Sequence, residues 1–76
     1  METLGSILHD YRENWGLSKT EAARICGISP QYWWLLENDR RVASSDTIDK
    51  IAAGTGYSVS RLLMGAHNVR HKELVI

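Results

Sequence analysis

Cysteine and proline are nearly absent from this chain, which has 76 residues and one of each. A single thiol, Cys26, cannot form an internal disulfide or supply a zinc cluster, so neither is expected to hold the fold together. Cys26 lies beside a glycine in an apolar pattern and is interpreted as a small core residue. With so little proline, several helices can form without interruption. A reducing cytoplasm suits this composition.

Long apolar runs and an excess of charge of one sign are also missing. No segment approaches the about 18 apolar residues of a membrane span, and the first residues lack the pattern of a signal peptide. Nine basic residues balance nine acidic ones, so the formal net charge is zero. Binding to nucleic acid needs positive charge, and it would therefore have to come from basic residues gathered on one face.

Groups that would support catalysis are missing as well. There is no Ser/His/Asp or Cys/His arrangement with supporting context, and no glycine-rich phosphate loop. Among the three histidines, only His67 and His71 have the spacing of a helical metal pair, and that pair would need a helical tail. We expect no enzyme activity, no cofactor and no bound metal.

What the chain does have is a series of helix signals that predicts five helices. In the first, apolar residues recur at spacings of 4, 3 and 4 between Leu4 and Trp15, and Gly16 follows as a left-handed cap. Each of the other four begins at a serine that can accept a hydrogen bond from the first turn. They run from Ser18 to Gly27, from Ser29 to Asn38 and Asp39, from Ser44 or Ser45 to Gly56, and from Ser58 to Gly65.

Helices two and three are predicted to form a helix-turn-helix. Ala22 and Ala23 are small enough to let the two helices cross closely, and Gly27 supplies the sharp turn between them. Trp33 and Leu36 face inward. The first turns of helix three then point outward, and the major groove of DNA is wide enough to admit one helix. The fold class is therefore all-α.

The ordered set of residues from Leu4 to Gly65 resembles the helix-turn-helix domain of Cro and the phage repressors, also called the xenobiotic-response-element family. The resemblance implies a compact five-helix bundle of the lambda-repressor type that binds operator DNA, usually as a homodimer, without catalysis. We assign residues 1–65 to this DNA-binding domain and residues 66–76 to a C-terminal tail. The matching residues are Leu4, Leu8, Arg12, Gly16, Leu17, Ser18, Glu21, Ala22, Ala23, Gly27, Ile28, Ser29, Leu36, Glu37, Asn38, Thr47, Ile48, Lys50, Ile51, Ala52, Gly56, Ser58, Val59, Leu62 and Leu63.

The same resemblance implies which residues touch DNA. The exposed part of helix three reads bases, and there the chain has Pro30, Gln31, Tyr32, Trp34 and Leu35. Gln31 can make two hydrogen bonds to adenine, whereas Pro30 and Leu35 have no side-chain donor or acceptor and can only touch thymine methyl groups. Contacts to the DNA backbone are expected from Arg12, Lys19, Ser29, Asn38, Arg40 and Arg41.

Three positions depart from the family pattern. Lys19 replaces the common glutamine and offers phosphate a better point charge. Trp34 stands where a polar residue is usual, and it is expected to be partly exposed because neighbouring helical residues point about 100° apart and Trp33 faces inward. Asp39 replaces a glycine beside the expected backbone contacts, where an acid is mildly unfavourable for the approach of DNA.

The sequence thus predicts a cytoplasmic, nucleoid-associated regulator of transcription that binds specific double-stranded DNA. We expect a repressor or Cro-like protein of phage or mobile-element origin, which forms a homodimer through the apolar end Leu74, Val75 and Ile76. The alternative is a protein-interaction module or antitoxin on the same fold, which docks a partner protein through exposed Trp34 and Leu35. The zero net charge and the apolar helix three favour this alternative.

Overall fold

The computed structural model describes residues 2–75, with side chains for residues 2–69. In this part of the chain five helices follow one another and no strand occurs. The predicted all-α, five-helix fold is confirmed. None of the described helices is long and apolar enough to pass through a bilayer. The helices are α1 (Leu4–Trp15), α2 (Lys19–Cys26), α3 (Pro30–Glu37), α4 (Ser45–Thr55) and α5 (Val59–Val75).

The ends of the first four helices follow from local sequence signals. Each helix begins after a serine or threonine whose hydroxyl accepts the backbone N–H three residues on, which satisfies a donor that the helix leaves unpaired. At α2 the Glu21 carboxylate also accepts from the Ser18 N–H at 2.9 Å. The glycines after α1, α2 and α4 are left-handed, with φ of 63°, 70° and 80°.

The fifth helix is longer than predicted. We expected it to end at Gly65, but α5 continues to Val75. Gly65 lies where α5 crosses α1: a Cβ atom there would come within 2.8 Å of Ile7 Cδ1 and 3.0 Å of the Leu4 nitrogen. This glycine therefore serves close packing between two helices and not a left-handed cap.

The described side chains end before the predicted dimer contacts Leu74, Val75 and Ile76. The backbone of the first two belongs to α5, but their side chains and the whole of Ile76 are not described. The contact therefore stays a prediction.

One hydrophobic core receives side chains from all five helices. Trp33 lies at 0% exposure within it, and burying an aromatic side chain of this size contributes about 2–3 kcal/mol. Cys26 is buried too, and burial raises the pKa of its thiol to about 11, so the prediction of a core cysteine is confirmed. The largest fully buried side chains are Trp33, Leu4, Ile7, Leu8, Leu36, Ile48, Ile51, Leu62 and Val69.

A carboxylate at the edge of this core, Glu37, joins α3 to α1. Arg12 donates to it from Nε and Nη2, both at 2.9 Å, and the Trp33 indole N–H donates at 2.7 Å. His9 Nδ1 lies 3.4 Å from Oε2. Burial alone would raise the pKa of Glu37, but the hydrogen bonds from Arg12, Trp33 and His9 outweigh it and lower the pKa from 4.5 to about 2.

We predict that Glu37 makes the fold sensitive to acid. Because the pKa of its carboxyl falls from 4.5 to about 2 on folding, its contribution is complete above pH 4.5 and is lost as the pH falls toward 2. Glu37→Gln should lower the free energy of unfolding by about 3 kcal/mol at pH 7 and remove most of this acid dependence. Urea denaturation between pH 2 and pH 7 measures both effects.

Glu13→Gln is the matched control, since the Glu13 side chain is 64% exposed. It should change the free energy of unfolding by less than about 0.5 kcal/mol. If Glu37→Gln loses stability in acid as steeply as the original chain and Glu13→Gln do, the role given to Glu37 is wrong.

Candidate functional site

The outward face of α3 is formed by side chains that the core does not use. Gln31 is exposed in the second position of the helix, after the exposed Pro30. Since successive residues point about 100° apart, Trp34 and Leu35 lie on opposite sides of Gln31. Trp34 is 41% exposed, as expected, and Leu35 is half-buried. All four residues were predicted as base contacts.

An open groove of about 450 Å³ lies along one side of this face. We call it the α3 groove, and its lining is Ser29, Gln31, Tyr32, Leu35 and Arg41. The first four residues belong to α3 or to its N-cap, and Arg41 comes from the loop before α4. The structure thus brings five of the predicted site residues together on one surface.

Tyr32 is held in place as a wall of the α3 groove. Its hydroxyl and Thr47 Oγ1 are hydrogen-bonded at 3.1 Å, and its ring packs against the hydrophobic core. Ser29 accepts the Tyr32 N–H at 3.1 Å through its side-chain oxygen, which leaves the serine O–H as a donor. The groove therefore has an apolar side of Tyr32 and Leu35 and a polar rim of Ser29, Gln31 and Arg41.

Two exposed arginines lie at the sides of the outward face. The Arg40 guanidinium carbon is 6.0 Å from the centre of the Trp34 ring, within the range of a cation–π contact. Arg41 lines the α3 groove, on the side of Leu35. A chain with zero net charge therefore has cations next to both Trp34 and Leu35.

The loop that carries these arginines is fixed by Asp39. Its φ of 55° is left-handed, and the Arg40 N–H donates to the Leu35 carbonyl at 2.8 Å, which is a Schellman-type helix end. The Asp39 carboxylate accepts from the Gly5 N–H at 2.9 Å and from the Thr3 hydroxyl at 2.8 Å. We expected this acid to disfavour an approaching anion, but its charge is directed to the positive end of α1.

Besides Arg40, three predicted backbone contacts do not line the α3 groove. Arg12 is 19% exposed and donates to Glu37 and to the Leu17 carbonyl, so its guanidinium is occupied within the fold. In the fold Arg12 thus holds α1 to α3, and its contact with the DNA backbone stays a prediction. Asn38 is exposed and donates to the Trp34 carbonyl at 2.8 Å, and Lys19 is half-buried in the first position of α2.

The roles of Glu37 and Asp39 were not foreseen from the sequence. Each bonds to a residue at least 25 positions away along the chain, so no local pattern indicates the contact. The only available signal was that Glu37 belongs to the residues that match the family. No three side chains of histidine, cysteine, aspartate or glutamate gather around a possible metal position in the part of the chain with described side chains.

Comparison with known proteins places these features in a family. A family model described as a helix-turn-helix domain matches residues 3–64. Among solved structures, the chain is similar to the clp gene regulator ClgR from C. glutamicum, with 31% sequence identity and a TM-score of 0.69. The similarity covers 88% of this chain and 87% of that one. No curated protein matches the chain.

We predict that Asp39 stabilises the fold through both its side chain and its backbone conformation. Asp39→Ala removes two acceptors from the start of α1 and puts an alanine at positive φ, so it should cost about 2–3 kcal/mol in the free energy of unfolding. Asp39→Asn keeps an acceptor and tolerates this φ, so it should cost less than about 1 kcal/mol. Thermal and urea denaturation measure the difference. Equal losses in the two variants would contradict this account of Asp39.

Proposed function

The chain belongs to the helix-turn-helix domain family, and on that premise we propose that it binds double-stranded operator DNA and regulates transcription. The observation that carries the proposal is the exposed face of α3, where five side chains suited to DNA contact line the α3 groove. The major groove is about 12 Å wide and a helix with its side chains is about 10–12 Å across, so α3 fits into it.

Each predicted contact except Arg12 has a role in this arrangement. Gln31 hydrogen-bonds to a base edge, and Pro30, Tyr32, Trp34 and Leu35 supply apolar contacts beside it. Arg40 and Arg41 pair with phosphates on either side of α3. The Ser29 hydroxyl and the Gln31 backbone N–H at the start of α3 suit another phosphate. Lys19 and Asn38 remain proposed contacts to the DNA backbone outside the α3 groove.

We further propose that two copies bind together, with their α3 helices about 34 Å apart along the DNA. The described part of α5 supports a contact between copies, because Leu63 is 48% exposed and Met64 is 62% exposed. Both line an open surface depression of about 510 Å³ with Ser60 and His67. The predicted contact residues Leu74, Val75 and Ile76 follow on the same segment.

A Cro-like or repressor action follows if the operator overlaps a promoter, because a bound dimer then excludes the polymerase. The phage or mobile-element setting and the nucleoid location stay predictions. The exposure of Trp34 also favours the alternative of a protein-interaction module or antitoxin that docks a partner through Trp34 and Leu35. A partner that uses this surface would compete with DNA, and Trp34→Ala would weaken its binding.

We predict separate effects of Arg41 and Gln31 on DNA binding. A binding site is first selected from random DNA and compared with the DNA upstream of the gene that encodes this chain. Binding is then measured by fluorescence anisotropy at several salt concentrations. Arg41→Ala should weaken binding to all sequences. It should also reduce the salt slope, which is the slope of the logarithm of the binding constant against the logarithm of the salt concentration, by about one. Gln31→Ala should instead change the preferred sequence.

The control is Arg24→Ala, because Arg24 is exposed in the last turn of α2 and does not line the α3 groove. Its salt slope should stay near that of the original chain. Binding that is equally weak on all sequences would overturn the proposed function, and a changed preference with Arg41→Ala would overturn the assignment of roles.

The proposed dimer gives a further prediction. Leu63→Lys puts a charge into the contact and should raise the dissociation constant of the dimer at least about tenfold, because a charge buried without a partner is costly. Ile25→Lys is the matched control, since Ile25 and Leu63 are both 48% exposed. Deletion of residues 74–76 tests the end segment, and sedimentation equilibrium measures all three variants. If the dimer survives both Leu63→Lys and the deletion unchanged, the contact lies elsewhere.

A further inference from the structure

We propose that the α3 groove recognises a step of A·T base pairs, in which Leu35 contacts a thymine methyl group and Gln31 bonds to a neighbouring adenine. The inference rests on the proposed function and goes beyond it by assigning the base chemistry of the site. It is carried by the lining of the α3 groove, whose base-facing side combines one amide with an apolar wall.

The positions of Gln31 and Leu35 suit neighbouring base pairs. They are four residues apart on α3 and line the same groove, so their Cβ atoms are about 5–6 Å apart on one face. Stacked base pairs are separated by about 3.4 Å, which the two side chains can span. An amide can donate to adenine N7 and accept from its N6 amino group, a two-point contact that no other base edge offers in the same order.

The wall around Leu35 favours a methyl group over a polar base edge. Leu35 has no polar side-chain atom, and the Tyr32 hydroxyl is held toward Thr47 by their hydrogen bond of 3.1 Å. A cytosine amino group placed against Leu35 would lose its water without gaining a partner from that side chain, which is costly. A thymine methyl group gains from burial in the same place.

Arg41 is the competing reader on the rim of the groove, because a guanidinium matches the O6 and N7 acceptors of guanine. We assign it to phosphate because it comes from the loop after α3 and is exposed. The experiment separates these two assignments. If Arg41 reads guanine, the affinity does not depend on the methyl group of thymine, because guanine carries no methyl group.

The test uses the selected operator with chemically altered bases and the full chain. Replacing thymine by deoxyuridine removes only the methyl group, and the affinity should fall about fourfold at one thymine in each half-site. Replacing the neighbouring adenine by 7-deazaadenine removes N7, and the affinity should again fall at least about fivefold. Fluorescence anisotropy measures both series.

The variants assign each loss to a side chain. Leu35→Ala should bind thymine and deoxyuridine operators equally, whereas Leu35→Met, the matched apolar control, should keep the preference for thymine. Gln31→Ala should lose the sensitivity to 7-deazaadenine and keep the sensitivity to deoxyuridine. Circular dichroism verifies that each variant is folded. If Leu35→Ala does not fold, the measurements of the original chain on operators with altered bases still test the inference.

Two results would overturn this inference while leaving the proposed function intact. One is specific binding with equal affinity for thymine and deoxyuridine at every position, and the other is a preferred step of G·C pairs that depends on Arg41. If the selection yields no preferred sequence at all, the proposed function itself fails.

Discussion

The attachment of the end of α3 to α1 is the contact on which the outward surface depends. Glu37 receives hydrogen bonds from Arg12 and from the Trp33 indole, and Asp39 bonds to the first turn of α1. Since a helix is rigid over eight residues, a fixed inner edge also fixes the direction of Gln31 on the other side. Glu37 and Asp39 thus determine how the exposed side chains of α3 are presented.

The same contacts explain how a chain without net charge can bind a polyanion. Arg12 is paired with Glu37 at the edge of the core and Arg61 with Glu2 on the surface, while Arg40 and Arg41 stay exposed beside α3. The acid nearest to these two arginines in sequence, Asp39, is directed to the start of α1 and is stabilised there by the helix dipole. The balance of charges in the composition therefore hides an uneven distribution over the surface.

The sequence allowed most of the fold to be predicted because its signals are local. Capping serines and the glycines after α1, α2 and α4 act within one helical turn, and they have the predicted geometry. Gly65 follows an apolar stripe in the same way, yet its small size is needed by α1, which packs against it from more than fifty residues away in sequence. The partners of Arg12 and Asp39 were missed for the same reason, since tertiary contacts override local preference.

The division of α3 into two faces has a consequence for how such a protein changes over generations. Trp33 and Leu36 are completely buried, so drift at these positions is constrained by folding. Gln31, Trp34 and Leu35 lie outside the buried core and contribute little to it. Substitutions there can accumulate and be tried against new binding sites while the scaffold persists, so descendants of this domain can acquire new regulatory targets without refolding.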